Sequence, residues 1–306
     1  MKNFGRTGIK LPEIGFGTWG IGGGRWSPSY NNHAEMVKLV RNAIDEGLTI
    51  IDTAEMYGGG HTEEIVGEAV EDRRDKAFIM SKLWATNTGY ESALKHAEAS
   101  LRRMRTDYLD LYFIHSPPLL RGLRDTMMAF EKLVLDGKVR YIGLSNFSPK
   151  KIEEARTYLS RIDVSAVQNR YSLIMRGDEL DVIPYCEKEG IAYIAYSPLG
   201  GGSLISDQRV INLKKIASKY GKDIVSIALN WLIKGNSVFT IPKTSNPNRI
   251  KYFKEGMEWK MDTGDYNYIG NIFKQRSHGI LDRLLRTVHD LSIENTSFKR
   301  STNRIS

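Results

Sequence analysis

Cysteine is almost absent from this chain: Cys186 is the single one in 306 residues. That excludes an intrachain disulfide framework and a cysteine-rich zinc site, and no metal centre is expected. Long apolar runs are missing too. None approaches the roughly 20 residues that span a bilayer, and the opening MKNFGRTGIK lacks the apolar core of a secretory signal. A cytoplasmic protein without a membrane partner is expected. Dense basic runs are the third absence. The net charge is +8, but the 44 Lys and Arg are scattered among 36 acidic residues. This argues against a nucleic-acid surface and leaves room for a local basic site that binds a phosphorylated ligand.

What is present is the composition of a packed domain, 41% hydrophobic and 26% charged. Three apolar runs each end in a different ionisable group. LTIID ends in Asp52, with Tyr57 and then Gly58, Gly59 and Gly60 beyond it; AFIMSK ends in Lys82; YLDLYFIH ends in His115. Buried strands that end in ionisable groups, with a phenol on the following loop, are what the rim of an active site looks like.

The rest of the chain repeats this strand-and-helix grammar. Residues 1–13 read as a short hairpin and EIGFGTWG as a strand running into a glycine-rich loop. Helix 32–46, with Asn32 and Glu35 as a capping pattern, precedes strand 48–52. A helix starts near Thr62, with Glu63 and Glu64 in its first turn, where the dipole favours them. Strands at 77–82, 108–115, 139–145, 163–168, 191–196 and 238–241 alternate with helices at 89–104, 122–136, 149–159, 178–189, 207–219, 224–234 and 247–257. About eight such repeats make a (β/α)8 TIM barrel over residues 1–260, with a doubly wound sheet as the rival topology. Residues 261–306 form a C-terminal extension. MDTGDYNYIGN is turn-rich, and Ile280, Leu281, Leu284, Leu285, Val288 and Leu291 fall on one helical face, suited to a docked pad, an oligomer contact or a lid.

In a parallel barrel the C-terminal strand ends share one face, where sites are built. Asp52, Lys82, His115, Ser145, Asn146, Gln168, Tyr196 and Lys243 all stand at such ends. Each alone has an ordinary explanation as a cap or loop anchor; together they read as a functional cluster. A phenol titrates near pH 10, and a close ammonium would lower that value. Asp52 would keep Lys82 charged, and His115 would orient a carbonyl oxygen. The set suits reduction of C=O by hydride, and a nicotinamide cofactor is implied because no side chain carries a hydride. Gly15 to Gly20 matches G-x-G-x-x-G, but Pro28 and three consecutive glycines follow, with no helix expected before about residue 32. A Rossmann fingerprint needs a helix at once. The glycine triplets at 22–24 and 58–60 read as flexible rim loops.

From about residue 3 to residue 250 the chain resembles the aldo-keto reductase family. The resemblance is carried by GFGTWG at 15–20, DTAEMYG at 52–58, SKLW at 81–84, DLYFIHSP at 110–117, GKVRYIGLSNF at 137–147, VQNRYS at 167–172, AYSPLGGG at 195–202 and IPKTSNPNR at 241–249. It implies Tyr57 as general acid, Asp52 and Lys82 as its tuning pair, and His115 as the group that positions the carbonyl. It implies a grip on nicotinamide by Ser145, Asn146 and Gln168, with Tyr196 stacked on the ring. Gly17, Thr18 and Trp19 would lie along the cofactor, and Ser197 and Leu199 along its pyrophosphate. Lys243, Thr244 and Arg249 would hold a 2′-phosphate and the adenine, which selects NADPH over the alternative, NADH. Tyr252 and Phe253 stand where the family often has an acidic residue and Asn, which suggests stacking on adenine. Trp19, Trp26 and Trp84 would line the substrate pocket. The expected partner is a small-molecule carbonyl compound, and the protein is a monomer or a homo-oligomer through the extension. Two other readings stand beside this one. One is a Schiff-base enzyme using Lys82, which Asp52 disfavours; the other is a cofactor-binding regulatory subunit, since some members of the family partner ion channels.

Overall fold

The structure is a computed structural model that describes residues 1–118 and 122–274. Strands β1 (Lys2–Asn3) and β2 (Lys10–Leu11) pair antiparallel as the expected hairpin. There follow β3 (Phe16–Gly17), α1 (His33–Asp45), β4 (Ile50–Asp52), α2 (His61–Val70), β5 (Phe78–Leu83), α3 (Tyr90–Met104), β6 (Leu109–Ile114), α4 (Leu123–Leu135), β7 (Val139–Ser145) and α5 (Pro149–Arg156). The chain continues through β8 (Val164–Arg170), α6 (Val182–Glu189), β9 (Ala192–Tyr196), α7 (Ser203–Ser206), α8 (Val210–Tyr220), α9 (Ile224–Leu232), β10 (Val238–Ile241), α10 (Ile250–Glu255) and α11 (Thr263–Ile272). Among the described residues no helix is long and apolar enough to cross a membrane.

Strands β3 to β10 pair in parallel and in chain order. Bonds from the Gly15 N–H to the Thr240 oxygen (2.8 Å) and from the Gly17 N–H to the Pro242 oxygen (2.9 Å) join the first strand to the last. The sheet is therefore the (β/α)8 barrel and not its doubly wound rival. Strand periodicity sorts the side chains into two layers. Phe78, Met80, Leu111, Phe113, Ala166, Ala192, Ile194 and Phe239 point inward, and Phe4 of the hairpin packs among them. Their neighbours Ile79, Tyr112, Ile114, Val167, Tyr193 and Val238 point outward against the helices. One further inward step along β4, β5, β6, β8 and β9 reaches Asp52, Lys82, His115, Gln168 and Tyr196. The rule that fills the barrel with apolar side chains thus aims these polar ones at its mouth.

Two local expectations need correction. Asn32 sits at φ 64° and its side chain makes no capping bond, because a side-chain N-cap requires extended backbone there. Glu63 stands in the first turn of α2 as expected; it is fully buried and accepts from the Ser81 hydroxyl and, at 2.6 Å, from Arg103, so it also ties α2 to β5 and α3. Apart from Gly24, where a Cβ would meet nothing, the glycine triplets are close-packed rather than flexible. A Cβ on Gly58 (φ 59°) would stand 2.3 Å from the Gly22 oxygen, and one on Gly22 would strike Thr62.

Residues expected to be turn-rich form α11. Asp262 caps it by accepting from the Gly264 N–H at 2.7 Å. Tyr266 stacks on Trp231 at 5.1 Å, Arg176 donates to the Gly270 and Phe273 oxygens at 2.6 Å, and Phe273 is fully buried. The compact unit runs from Met1 to Lys274, past the expected division at 260. The helix expected around residues 280–291 lies outside the described residues.

Candidate active site

Asp52, Tyr57, Lys82 and His115 converge at the barrel mouth. The Lys82 ammonium donates to Asp52 Oδ2 and to the Thr53 carbonyl, each at 2.8 Å, and lies 3.2 Å from the Tyr57 hydroxyl. Gln168 Nε2 donates to Asp52 Oδ1 at 2.8 Å, which fixes the carboxylate from its other side. Lys82 is fully enclosed, Asp52 is 3% exposed and Tyr57 8%. The His115 ring stands edge-on to Tyr57 at 5.8 Å and to Trp84 at 5.3 Å. Trp19 meets Tyr57 edge-on at 4.9 Å, and Trp26 meets Trp84 at 6.3 Å. Trp19 and Trp26 remain 43% and 46% exposed, so the aromatic wall is open toward solvent. The enclosure of Lys82 also counts against a Schiff-base role, since a nucleophilic amine has to reach its substrate.

The electrostatics reverse one expectation. The Tyr57 phenol is pushed well above 10, first by burial and then by Asp52 and Tyr196, with Arg25 opposing. The sequence reading expected the ammonium to lower it. But Lys82 and Asp52 are a contact pair, so the phenol faces a nearly compensated dipole while losing the water that would solvate its anion. Burial likewise depresses Lys82, and Asp52 limits the fall. His115 lies well below its usual value through burial, then through Lys82 and Arg25, so its imidazole is neutral at neutral pH.

The expected cofactor residues occupy one side of the mouth. Asn146 adopts φ 65° and Ser197 φ 51°, left-handed conformations that non-glycine residues rarely hold outside special sites. Asn146 Nδ2 donates to the His115 carbonyl (2.9 Å) and to Ser145 Oγ (3.2 Å), while its Oδ1 accepts from the Tyr196 hydroxyl (2.8 Å). The Thr18 hydroxyl and N–H both bond the Asp52 carbonyl, so Thr18 anchors the end of β4. Thr244 Oγ1 closes its own loop through Asn246. Leu199 is half-buried at the start of the turn Gly200–Gly202. Lys243 and Arg249 are exposed and form no ion pair among the described residues. Phe253 is 1% exposed and cannot stack on a ligand, which corrects that expectation; Tyr252 is half-buried.

Several contributors escaped the sequence reading. Glu55 is 3% exposed; it accepts from the Trp84 N–H (2.7 Å), Asn87 (2.9 Å) and His96 (2.6 Å), which holds the Trp84 wall in place. Asn169 accepts the Asn146 N–H at 2.7 Å and is braced by Asp178, which Tyr193 also reaches. Arg25 pairs with Tyr57 through the backbone. Glu55 falls inside the DTAEMYG string, but nothing in the sequence marks Arg25. A separate groove of about 510 Å³, lined by Tyr171, Arg176, Trp231 and Tyr266 among others, contains none of Asp52, Tyr57, Lys82 and His115.

Comparisons with known proteins identify the family and the fold. The model of the Aldo/keto reductase family matches residues 13–273. The chain is 35% identical over 259 residues to methylglyoxal reductase YeaE of Escherichia coli, covering 84% of this chain and 89% of that protein. It is 33% identical over 276 residues to glyoxal reductase of Bacillus subtilis, covering 89% and 93%. Among solved structures, the thermostable aldo-keto reductase Tm1743 in complex with the inhibitor epalrestat superposes with a TM-score of 0.85 at 39% identity, covering 89% of this chain and 98% of that one. An aldo/keto reductase from Klebsiella pneumoniae in complex with NADP and acetate gives 0.80 at 30%, covering 88% and 94%.

Proposed function

From the premise that this chain belongs to the aldo/keto reductase family, we propose that it reduces aldehydes or ketones to alcohols with NADPH, with Tyr57 as the proton donor. The observation that carries this is the buried run Asp52–Lys82–Tyr57, with contacts of 2.8 and 3.2 Å. A donor must hold its proton until the carbonyl oxygen becomes basic. The raised phenol value keeps Tyr57 protonated, and the ammonium is positioned to stabilise the phenolate as it forms. Neutral His115 can donate to the same oxygen without competing as an acid. The proton passes from the Tyr57 hydroxyl to the carbonyl oxygen and leaves a phenolate beside the Lys82 ammonium.

The donor set fits a phosphorylated nicotinamide dinucleotide. Asn146 spends its side chain on His115, Ser145 and Tyr196. Among the described residues this leaves the Ser145 hydroxyl proton and the Gln168 side-chain amide oxygen with capacity for a carboxamide. The turn Gly200–Gly202, where a Cβ on Gly201 or Gly202 would meet nothing, offers open backbone for a pyrophosphate. Lys243 and Arg249, which form no ion pair among the described residues, are cations suited to a 2′-phosphate. When bound, the cofactor supplies the hydride. The two curated relatives are named for small dicarbonyls, which supports a small reactive carbonyl as substrate.

The test is Tyr57→Phe, assayed by NADPH oxidation with 4-nitrobenzaldehyde and by NADPH fluorescence on binding. Turnover should fall by about 10²- to 10⁴-fold, the usual contribution of a positioned acid, with cofactor affinity retained. Turnover near that of the parent protein would remove the phenol from the reaction.

A further inference from the structure

We propose that Arg25 is a specificity residue that binds an anionic group, a carboxylate, on the carbonyl substrate. This rests on the reduction reading above and adds to it the substrate's charge. Arg25 lies in the loop between β3 and α1, where it faces Tyr57 across an antiparallel bridge. Bonds from the Trp26 N–H to the Met56 oxygen (2.9 Å) and from the Gly58 N–H to the Gly24 oxygen (2.7 Å) hold the two segments in register. Residues directly opposite in such a bridge project from the same face, with Cβ atoms about 4.5–5.5 Å apart. Arg25 and the acid phenol therefore leave the backbone side by side.

The guanidinium continues toward the aromatic wall. Its carbon lies 5.8 Å from the centre of the Trp84 ring, and that ring lies 5.3 Å from His115. Guanidinium and imidazole can be no further apart than those two distances laid end to end, a span that a short-chain or single-ring substrate bridges. Arg25 Nη1 is sealed from solvent, and among the described residues it has no hydrogen-bond partner and no carboxylate pairs with Arg25. Its charge acts on both Tyr57 and His115. A sealed, unsatisfied guanidinium donor is costly unless an acceptor arrives. Its planar fork matches a carboxylate in geometry and sign. Trp26 beside it is held at φ 52°, a conformation that a bulky residue keeps only where the surroundings impose it. The loop thus holds a free cation beside the proton donor, and the ligand that satisfies it is an aldehyde or ketone bearing a carboxylate.

The experiment compares 4-carboxybenzaldehyde with methyl 4-formylbenzoate, which differ in charge but hardly in shape, using NADPH and the full chain. In the parent protein kcat/KM should favour the acid by about 10- to 100-fold, the scale of a charge-assisted hydrogen bond, mostly through KM. In Arg25→Met that ratio should fall toward one, and Arg25→Lys should keep part of it. A parent ratio near one, or a ratio that survives Arg25→Met, overturns the proposal. If neither aldehyde is reduced, the reduction reading fails instead. Calorimetry of benzoate against methyl benzoate on the NADP-loaded protein then decides: tighter benzoate binding lost in Arg25→Met supports the anion site, and equal binding in both proteins refutes it.

Discussion

Lys82→Met separates what the buried amine does for the fold from what it does for the chemistry. In the folded protein the ammonium is enclosed and holds Asp52 at 2.8 Å. Removing it leaves a carboxylate that is 3% exposed with only the Gln168 amide for company. Breaking a buried pair in this way costs about 3–5 kcal/mol. The chemical effect follows from distance. An ammonium 3.2 Å from the phenol oxygen attracts a forming phenolate by about 5 kcal/mol at an effective dielectric near 20. Asp52 opposes part of this, but in the variant Asp52 remains and its repulsion is uncompensated. A loss of about 10³-fold or more in the proton-transfer step is expected. Asp52→Asn combined with Lys82→Met removes both charges. It should recover most of the stability, since an apolar or neutral pair replaces an orphaned charge, and should recover little of the rate. Urea unfolding reads the first quantity and single-turnover NADPH oxidation the second. If Lys82→Met stays within tenfold of the parent rate, or if the double variant is as unstable as the single one, the role assigned to the ammonium is wrong.

Other expectations follow from the same geometry. The folded His115 value lies well below the unfolded one near 6.5, so below that pH the unfolded chain binds the extra proton and stability falls as pH falls. One such group contributes a slope of up to about 1.4 kcal/mol per pH unit; urea midpoints from pH 7.5 to 5.5 should show it, and His115→Asn should flatten it. Arg249 is exposed and forms no ion pair among the described residues, so Arg249→Ala should raise KM for NADPH by about tenfold, through loss of a charge-assisted phosphate contact, and leave KM for NADH nearly unchanged. Parallel rises for both cofactors would place the arginine away from the 2′-phosphate.

What could be read from the sequence and what could not divide along a physical line. Strand periodicity is a local property, and it places Asp52, Lys82, His115 and Gln168 on inward positions at the C-terminal ends of parallel strands. Once the strands are known to be parallel, the meeting of those side chains follows without any knowledge of the loops. Arg25 lies beyond the reach of that logic. Its position depends on one antiparallel bridge to Tyr57, formed between two loops that need close-packed glycines, and no composition or spacing announces such a contact. Helix α11 was obscured for a related reason: its residues suit a turn, and they become helical because Asp262 caps them and Trp231 receives Tyr266. The sign of the Tyr57 shift was hidden more deeply still. Sequence shows that a lysine and an aspartate end neighbouring strands, but the balance between their charges and the loss of water is set by enclosure, a property of the whole packed mouth. If Tyr57 is the proton donor proposed above, the same enclosure suits it to giving up its proton only late. It makes the resting anion costly, and it would keep water from screening the ammonium when a carbonyl oxygen arrives to take the proton.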